Sequence, residues 1–440
     1  MRYIPNADAD RQAMLRSIGR TSVDELFSDL PESVAKAYRP VGLPPRSELE
    51  VVEELTKLSA RNEAAERIPL LGGGIYDHYV PRAVHHLASR SEFSTAYTPY
   101  QPEISQGTLT VMFEFQTMVC ELTQMEIANA SMYDGATALA EAVLMAERIR
   151  KRGKVAVAAN LFSHYRRVVN TYAWAAGIDL VEIPLASSGR CDFGRLPDGV
   201  SALVVQSPNA FGVIETLAGL KNRLGDALLI VATYPLALGI LEPPGAFGAD
   251  VVVGEGQCLG LPMGYGGPLL GLFATRKEHL RQLPGRVAGR TVDVDGRLGY
   301  TMTAQTREQH IRREKATSNI CTNSAHCALS ATMYLASIGA SGLHRVALLN
   351  LEKAHYLAAR VEKNKSGTLV FDGPFYNEFV VRPKGGADAA RERLEAAGFL
   401  VEPPQAMADL GVPDALRLAV TERRTRSELD RVADVLGGKR

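Results

Sequence analysis

The sequence has no long apolar run. No stretch of its 440 residues reaches the roughly 18 uncharged apolar residues of a membrane span. It also has no excess of either charge: 49 Lys and Arg balance 49 Asp and Glu. That balance argues against broad attraction to nucleic acid or to an anionic membrane. Cysteine is sparse. Cys120, Cys191, Cys258, Cys321 and Cys327 are odd in number, scattered, and without CxxC or zinc-finger spacing. A reducing cytoplasm is the better reading than a disulfide framework. The first residues, MRYIPNADADRQ, carry no apolar core of signal-peptide type. Cys321, His326 and Cys327 lie close together, but their spacing matches no ligand pattern, so no metal site is expected.

What is present is an ordinary globular composition, 46% hydrophobic and 22% charged, in a chain long enough for about two or three domains. The first part reads as short helices with little core. Ser22–Glu25 and Ser47–Glu50 fit the capping-box pattern, and a proline-rich connector, Tyr38 to Arg46, separates them. Leu70-Leu-Gly-Gly-Gly74 makes a sharp break. Aromatic, proline-punctuated loops follow, then a helix from Ser105 to Leu122. From about Ala128 strands alternate with helices. Strands are expected at 154–158, 180–183, 202–206, 227–232, 251–253 and 269–274, with helices at 136–152 and 165–176. That alternation indicates a mostly parallel sheet covered on both faces. Beyond Ser318 come helices at 325–334 and 343–363. Strands at 368–371, 378–382 and 415–420 and helices at 388–397 and 427–436 complete a smaller α+β region. The expected division is a helical arm (1–69), a large α/β domain (70–330) and a small C-terminal domain (331–440).

The central stretch is Gly254 to Phe273, GEGQCLGLPMGYGGPLLGLF, a glycine-rich loop between two apolar strands. Such a loop suits a tight turn and the close approach of another body. In an imine-forming enzyme it is a natural seat for a lysine; the polar residue here is Gln257. Asp134-Gly-Ala-Thr137 opens a helix, so Gly135, Ala136 and Thr137 are either an anion cup or an ordinary cap. His164 follows a strand's C-terminal end, where ligands collect in open α/β sheets; it is either a cofactor-stacking imidazole or an ordinary surface or core residue. The run Gln305 to Asn319 interleaves Arg307, Arg312, Arg313 and Lys315 with Glu308 and Glu314. It is either a solvated helical face or a site for phosphate or carboxylate.

Together these stretches resemble glycine decarboxylase, the P protein of the glycine cleavage system, and in particular the α subunit (subunit 1) of its two-chain form. The resemblance rests on Tyr3 to Asn6, Ser94 to Glu103 (STAYTPYQPE), Ala128 to Ser131, Asp134 to Thr137, Gly254 to Gln257, Pro262 to Pro268 and Gln305 to Cys321. It implies the fold-type I architecture of pyridoxal-phosphate (PLP) enzymes. In the catalytic half of such enzymes the Schiff-base lysine stands five residues before the proline of the glycine loop; counting back from Pro262 reaches Gln257. An amide forms no imine. The segment Ile230 to Pro235 offers Thr233 and Tyr234 where the family has a carboxylate for the pyridine nitrogen. The resemblance therefore implies a pseudo-active site, with Gly135, Ala136, Thr137, His164 and Gln257 as a vestigial cofactor site and no catalytic residue in this chain. PLP is expected on a lysine-bearing β subunit (subunit 2), in an α2β2 assembly. That assembly decarboxylates glycine and passes the aminomethyl group to the lipoyl arm of the H protein. Tyr97, Tyr100, Thr317, Ser318 and Asn319 are the candidates to complete the partner's site. Two alternatives stand beside this one: a PLP enzyme using another lysine, Lys277 or Lys315, and a purely structural or regulatory partner.

Overall fold

A computed structural model describes Asn6 to Lys439; Tyr3, Ile4 and Pro5 of the Tyr3–Asn6 stretch lie outside the described residues. The chain separates into two compact units, divided between Ala65 and Glu66.

The first unit contains the helices Asp8–Ser17, Glu32–Ala37 and Glu48–Ala60. Glu48–Ala60 is opened by its expected box: the Ser47 N–H donates to Glu50 Oε2 (2.8 Å) and the Glu50 N–H to Ser47 Oγ (3.3 Å). The other box yields only a 3-10 turn, Asp24–Phe27. Pro31, four residues on, keeps Leu30 out of helical conformation and leaves no room for an α-helix. Of the apolar residues of the first helix, Leu15 is buried, whereas Met14 and Ile18 are exposed.

The second unit is built on a seven-stranded sheet. Its strands are β1 (Ile127–Ala128), β2 (Lys154–Ala158), β3 (Asp179–Ile183), β4 (Ala202–Ser207), β5 (Leu228–Thr233), β6 (Val251–Glu255) and β7 (Gly271–Thr275). They lie in the order β1-β7-β6-β5-β4-β2-β3. The five from β3 to β6 are parallel; β7 returns antiparallel to β6, and β1 pairs antiparallel with β7. Successive residues point to opposite faces, and both faces are apolar. Leu203, Val205, Leu229, Val231 and Val252 pack on one side with Phe115 and Val119 of Gln106–Thr123 and with Ala328 and Ala331 of Ala325–Lys363. Val155, Val204, Ile230, Val251 and Val253 pack on the other with the helices Gly135–Arg150 and Ser163–Ala176.

Two features depart from the sequence pattern. β7 begins at Gly271 rather than 269, because the Leu270 N–H is taken by the Glu255 carboxylate (2.9 Å) instead of the ladder. The two helices expected at 325–334 and 343–363 are both present within Ala325–Lys363, separated by a kink at Gly339, whose φ of 60° is cheap only for glycine. A hairpin, Val287–Val292 with Leu298–Thr303, was not expected. Its strands carry Gly289, Arg290 and Thr291 and are half exposed, so they lack the apolar alternation of a core strand; Asp295-Gly296 in its turn is the signal that marks it.

A three-stranded antiparallel sheet (Gly367–Leu369, Glu378–Pro383, Leu416–Ala419) is covered by the helices Ala387–Ala396 and Arg426–Leu436 and by the second half of Ala325–Lys363. The turn after β4 ties this sheet to the large one. Gly212 accepts a hydrogen bond from the Tyr376 N–H (3.0 Å) and holds φ +79°; a Cβ there would lie 1.8 Å from the Glu378 carbonyl oxygen. Both backbone segments are fixed, so Gly212→Ala is expected to cost roughly 3 kcal/mol or more. A drop of many degrees in the apparent unfolding midpoint checks this, and an unchanged midpoint refutes it. Among the described residues, no helix is long and apolar enough to cross a membrane.

Candidate functional site: a filled cofactor loop at the sheet's C-terminal edge

The C-terminal ends of β2, β4, β5 and β6 meet where ligands bind in this class of sheet. The last residue of β6 is Glu255. Its buried carboxylate accepts three backbone N–H groups: Gly135 (2.9 Å), Gln257 (3.0 Å) and Leu270 (2.9 Å). Burial raises its pKa to about 7, against the lowering effect of those three donors. Gly135 starts the helix Gly135–Arg150, and the Thr137 N–H is taken by Asp134 Oδ1 (2.7 Å). Carboxylates of the chain itself thus occupy the Gly135 and Thr137 donors at the helix start, where an anion would otherwise bind. Position 135 must be glycine, because a Cβ would lie 2.0 Å from the Tyr165 hydroxyl.

Gln257 is fully buried. Its Oε1 accepts the Tyr76 N–H (3.0 Å), and its Nε2 donates to the carbonyls of Tyr76 (3.1 Å) and Leu261 (2.9 Å). The amide reads the Tyr76 backbone as a neighbouring strand would and closes the 70–81 segment over the strand ends. The Tyr76 ring lies 4.6 Å from that of Tyr234, and its hydroxyl donates to Glu378 Oε1 (3.0 Å). Tyr234 bonds His78 Nε2, while His78 Nδ1 meets Glu422 Oε2 at 2.8 Å. Thr233 spends its hydroxyl on the Ser207 carbonyl (3.0 Å). The His164 ring stacks on Phe162 (5.7 Å between centroids); burial, then Arg417, holds it neutral with a pKa of about 4.

The cavity left between Gly74, Phe162, Tyr165, Thr233, Tyr234 and Glu255 is about 10 Å³. That is room for one water; a small-molecule pocket needs roughly 300 Å³ or more. PLP does not fit these residues: position 257 has no amine, two phosphate-type donors are already bonded, and the ring space is taken by side chains.

The remaining candidates lie elsewhere. Tyr97 is 81% exposed and Tyr100 is also exposed. The Gln305–Asn319 run is three short turns (Gln305–Arg307, Gln309–Arg312, Arg313–Lys315), interrupted where Arg313 takes φ 53°. Within it the Thr317 N–H bonds the Arg307 carbonyl (3.0 Å), Ser318 Oγ accepts the Ile320 N–H (3.1 Å), and Asn319 is exposed. Arg286 links the two stretches through Thr98, Tyr100 and Thr322. None of these candidates is hydrogen-bonded to Gln257. Lys277 follows the end of β7 that pairs with the start of β6, the opposite end of the sheet from Gln257, and Lys315 is exposed. The sequence reading missed Glu255, Tyr76 and Arg286. A carboxylate two residues before Gln257 was the available signal for the first; the other two had none.

The description "Glycine cleavage system P-protein" matches residues 1–436. A probable glycine dehydrogenase (decarboxylating) subunit 1 of Carboxydothermus hydrogenoformans is 48% identical over 448 residues, covering 100% of both chains. A protein of the same name from Xanthobacter autotrophicus is 49% identical over 440 residues, 98% of each chain. A crystal structure of glycine decarboxylase (P-protein) of the glycine cleavage system, in inhibitor-bound form, superposes with a TM-score of 0.92 at 44% identity, covering 100% of both chains. A Lactobacillus brevis glutamate decarboxylase shares the fold at 14% identity (TM-score 0.67, 95% of this chain and 96% of that one). The architecture is therefore that of the fold-type I PLP enzymes. Within that class, the chain belongs to the glycine cleavage system P-protein family.

Glu255 makes a testable contribution to stability. Its folded pKa, about 7, lies above the ordinary 4.5, so the stabilisation is fully present below pH 4.5 and is lost as pH rises through 7. The difference is on the order of 3 kcal/mol. Glu255→Gln should remove this slope; denaturant titrations from pH 4.5 to 8 that keep the same slope in both proteins would rule it out.

Proposed function

We propose that this chain is subunit 1 of a two-chain glycine dehydrogenase (decarboxylating) and binds no PLP of its own. The observation that carries the reading is Gln257 locked onto the Tyr76 backbone, with Glu255 taking the anion position beside it. The family and the names of the full-length relatives support the reaction, and the filled loop supports a cofactor held by another chain. That chain is a β subunit (subunit 2) with a lysine at the equivalent position, in an α2β2 complex. The complex decarboxylates glycine and transfers the aminomethyl group to the lipoyl arm of the H protein in the cytoplasm.

In this reading the chain's own share is to finish the partner's site. Tyr97 and Tyr100, left outside the core, border the path of glycine and the lipoyl arm. Thr317, Ser318 and Asn319 present hydroxyl and amide donors suited to the partner's cofactor phosphate. Support comes from their placement: exposed aromatics, with Thr317 and Ser318 half-buried and Asn319 exposed, on two stretches that Arg286 draws together through Thr98, Tyr100 and Thr322.

The purified chain, mixed with PLP and glycine, is expected to give neither an imine absorption band nor CO2. Adding the lysine-bearing chain should restore both. In the assembled complex, Tyr97→Ala and Thr317→Ala should each lower turnover roughly tenfold or more, as lost positioning does. Unchanged turnover in an intact complex would leave this chain a purely structural subunit.

A further inference from the structure

Arg286 is 2% exposed and makes no ion pair among the described residues. Its guanidinium donates to three neutral hydroxyls: Thr98 Oγ1 (3.0 Å), Thr322 Oγ1 (3.0 Å) and the Tyr100 hydroxyl (3.3 Å). Its Nε has no hydrogen-bond partner. A guanidinium has five N–H donors, so two remain unused. Of the other buried arginines, two are paired with carboxylates and the third spends its donors on backbone carbonyls. Arg417 holds Glu402 at 2.6 Å and Arg424 holds Asp77 at 2.8 Å, while Arg307 bonds the carbonyls of Ala304 and Gly285 at 3.0 Å. Glu308, the buried carboxylate of the same run, approaches His310 at 3.5 Å and makes no ion pair with Arg286.

A buried charge without a counter-charge costs several kcal/mol, and hydroxyls return only part of it. Loops hold this one in place. Arg286 sits at the entry to Val287–Val292, its carbonyl accepts the Ala130 N–H (2.8 Å), and its plane lies 5.6 Å from the Tyr100 ring centre. Tyr100 is 56% exposed, so a single half-exposed aromatic lies between the guanidinium and the surface. Planar guanidinium with a free side edge takes carboxylate or phosphate in two parallel bonds. Arg312, Arg313 and Lys315, exposed on the adjoining run, add positive potential there.

We propose that Arg286, with Thr98, Tyr100 and Thr322, is a receptor for one oxyanion that comes from outside this chain. The oxyanion is the carboxylate of glycine or the phosphate of the partner's cofactor. The assignment rests on the shared-site reading above and adds to it the one charged group that this chain supplies.

The test uses the complex assembled with the lysine-bearing chain. PLP is titrated into the cofactor-free complex by absorbance, and the KM for glycine is measured with cofactor in excess. Arg286→Gln should raise one of the two constants roughly tenfold or more, the loss of a charged bidentate contact. A change in the PLP constant alone identifies the phosphate; a change in the glycine KM alone identifies the carboxylate. Both constants within about twofold of the parent, in a complex of unchanged size, overturn the proposal. If Arg286→Gln fails to assemble, Arg286→Lys takes its place; it keeps the charge but loses the fork, and a rise of about threefold is then required. Thr317→Ala separates the two failures. If it impairs the complex and Arg286→Gln does not, only the receptor falls; if neither does, the shared site falls as well.

Discussion

The structure depends on one carboxylate and the three backbone N–H groups around it. Glu255 ends β6, and through its oxygens it fixes the start of Gly135–Arg150, the turn at Gln257 and the return of the chain into β7. Each of those N–H groups is buried and has to be satisfied. The order continues outward. Gln257, placed by Glu255, holds the Tyr76 backbone; Tyr76 reaches Glu378 in the small sheet; and Glu378 lies 3.7 Å from Arg417, which is paired with Glu402. A line of polar contacts thus runs through the second unit from its largest sheet to its smallest. Because that interior is of low polarity, each link is worth more than it would be in water, and each broken link costs more.

Much of the second unit's fold is legible in the sequence, for a physical reason. Strands buried on both faces have to be apolar throughout, and β2, β4, β5 and β6 announce themselves that way. The hairpin of Val287 to Thr303 is hidden because its outer residues face solvent and carry no such constraint. The boundary at β7 is displaced for a similar reason: a side chain fifteen residues away claims the Leu270 N–H, which no local pattern records.

The site divides along the same line. Gln257 is legible because its chemistry is, since an amide cannot do the work of an amine. What surrounds it is not. Tyr76 meets Gln257 across 181 positions of chain, and nothing in the loop Ile75 to Pro81 distinguishes a plug from a surface aromatic. Arg286 in the run Pro284-Gly-Arg-Val287 looks like any arginine beside a turn. Only the packing of Thr98, Tyr100 and Thr322 around it shows that its charge lies buried.

The Gln257–Tyr76 clasp also bears on what the loop can become. A single substitution could place an amine at position 257. Around it, however, the space is held by an aromatic ring, and the donor of Gly135 is taken by a tethered carboxylate. Replacing Gln257 leaves the Tyr76 N–H and carbonyl unpaired, and replacing Glu255 leaves the Gly135, Gln257 and Leu270 N–H groups unpaired, a penalty of about 1–3 kcal/mol for each buried group. Opening this loop to a ligand therefore takes several changes at once, each destabilising by itself. The clasp works as a ratchet on the loop, easy to close and costly to undo stepwise.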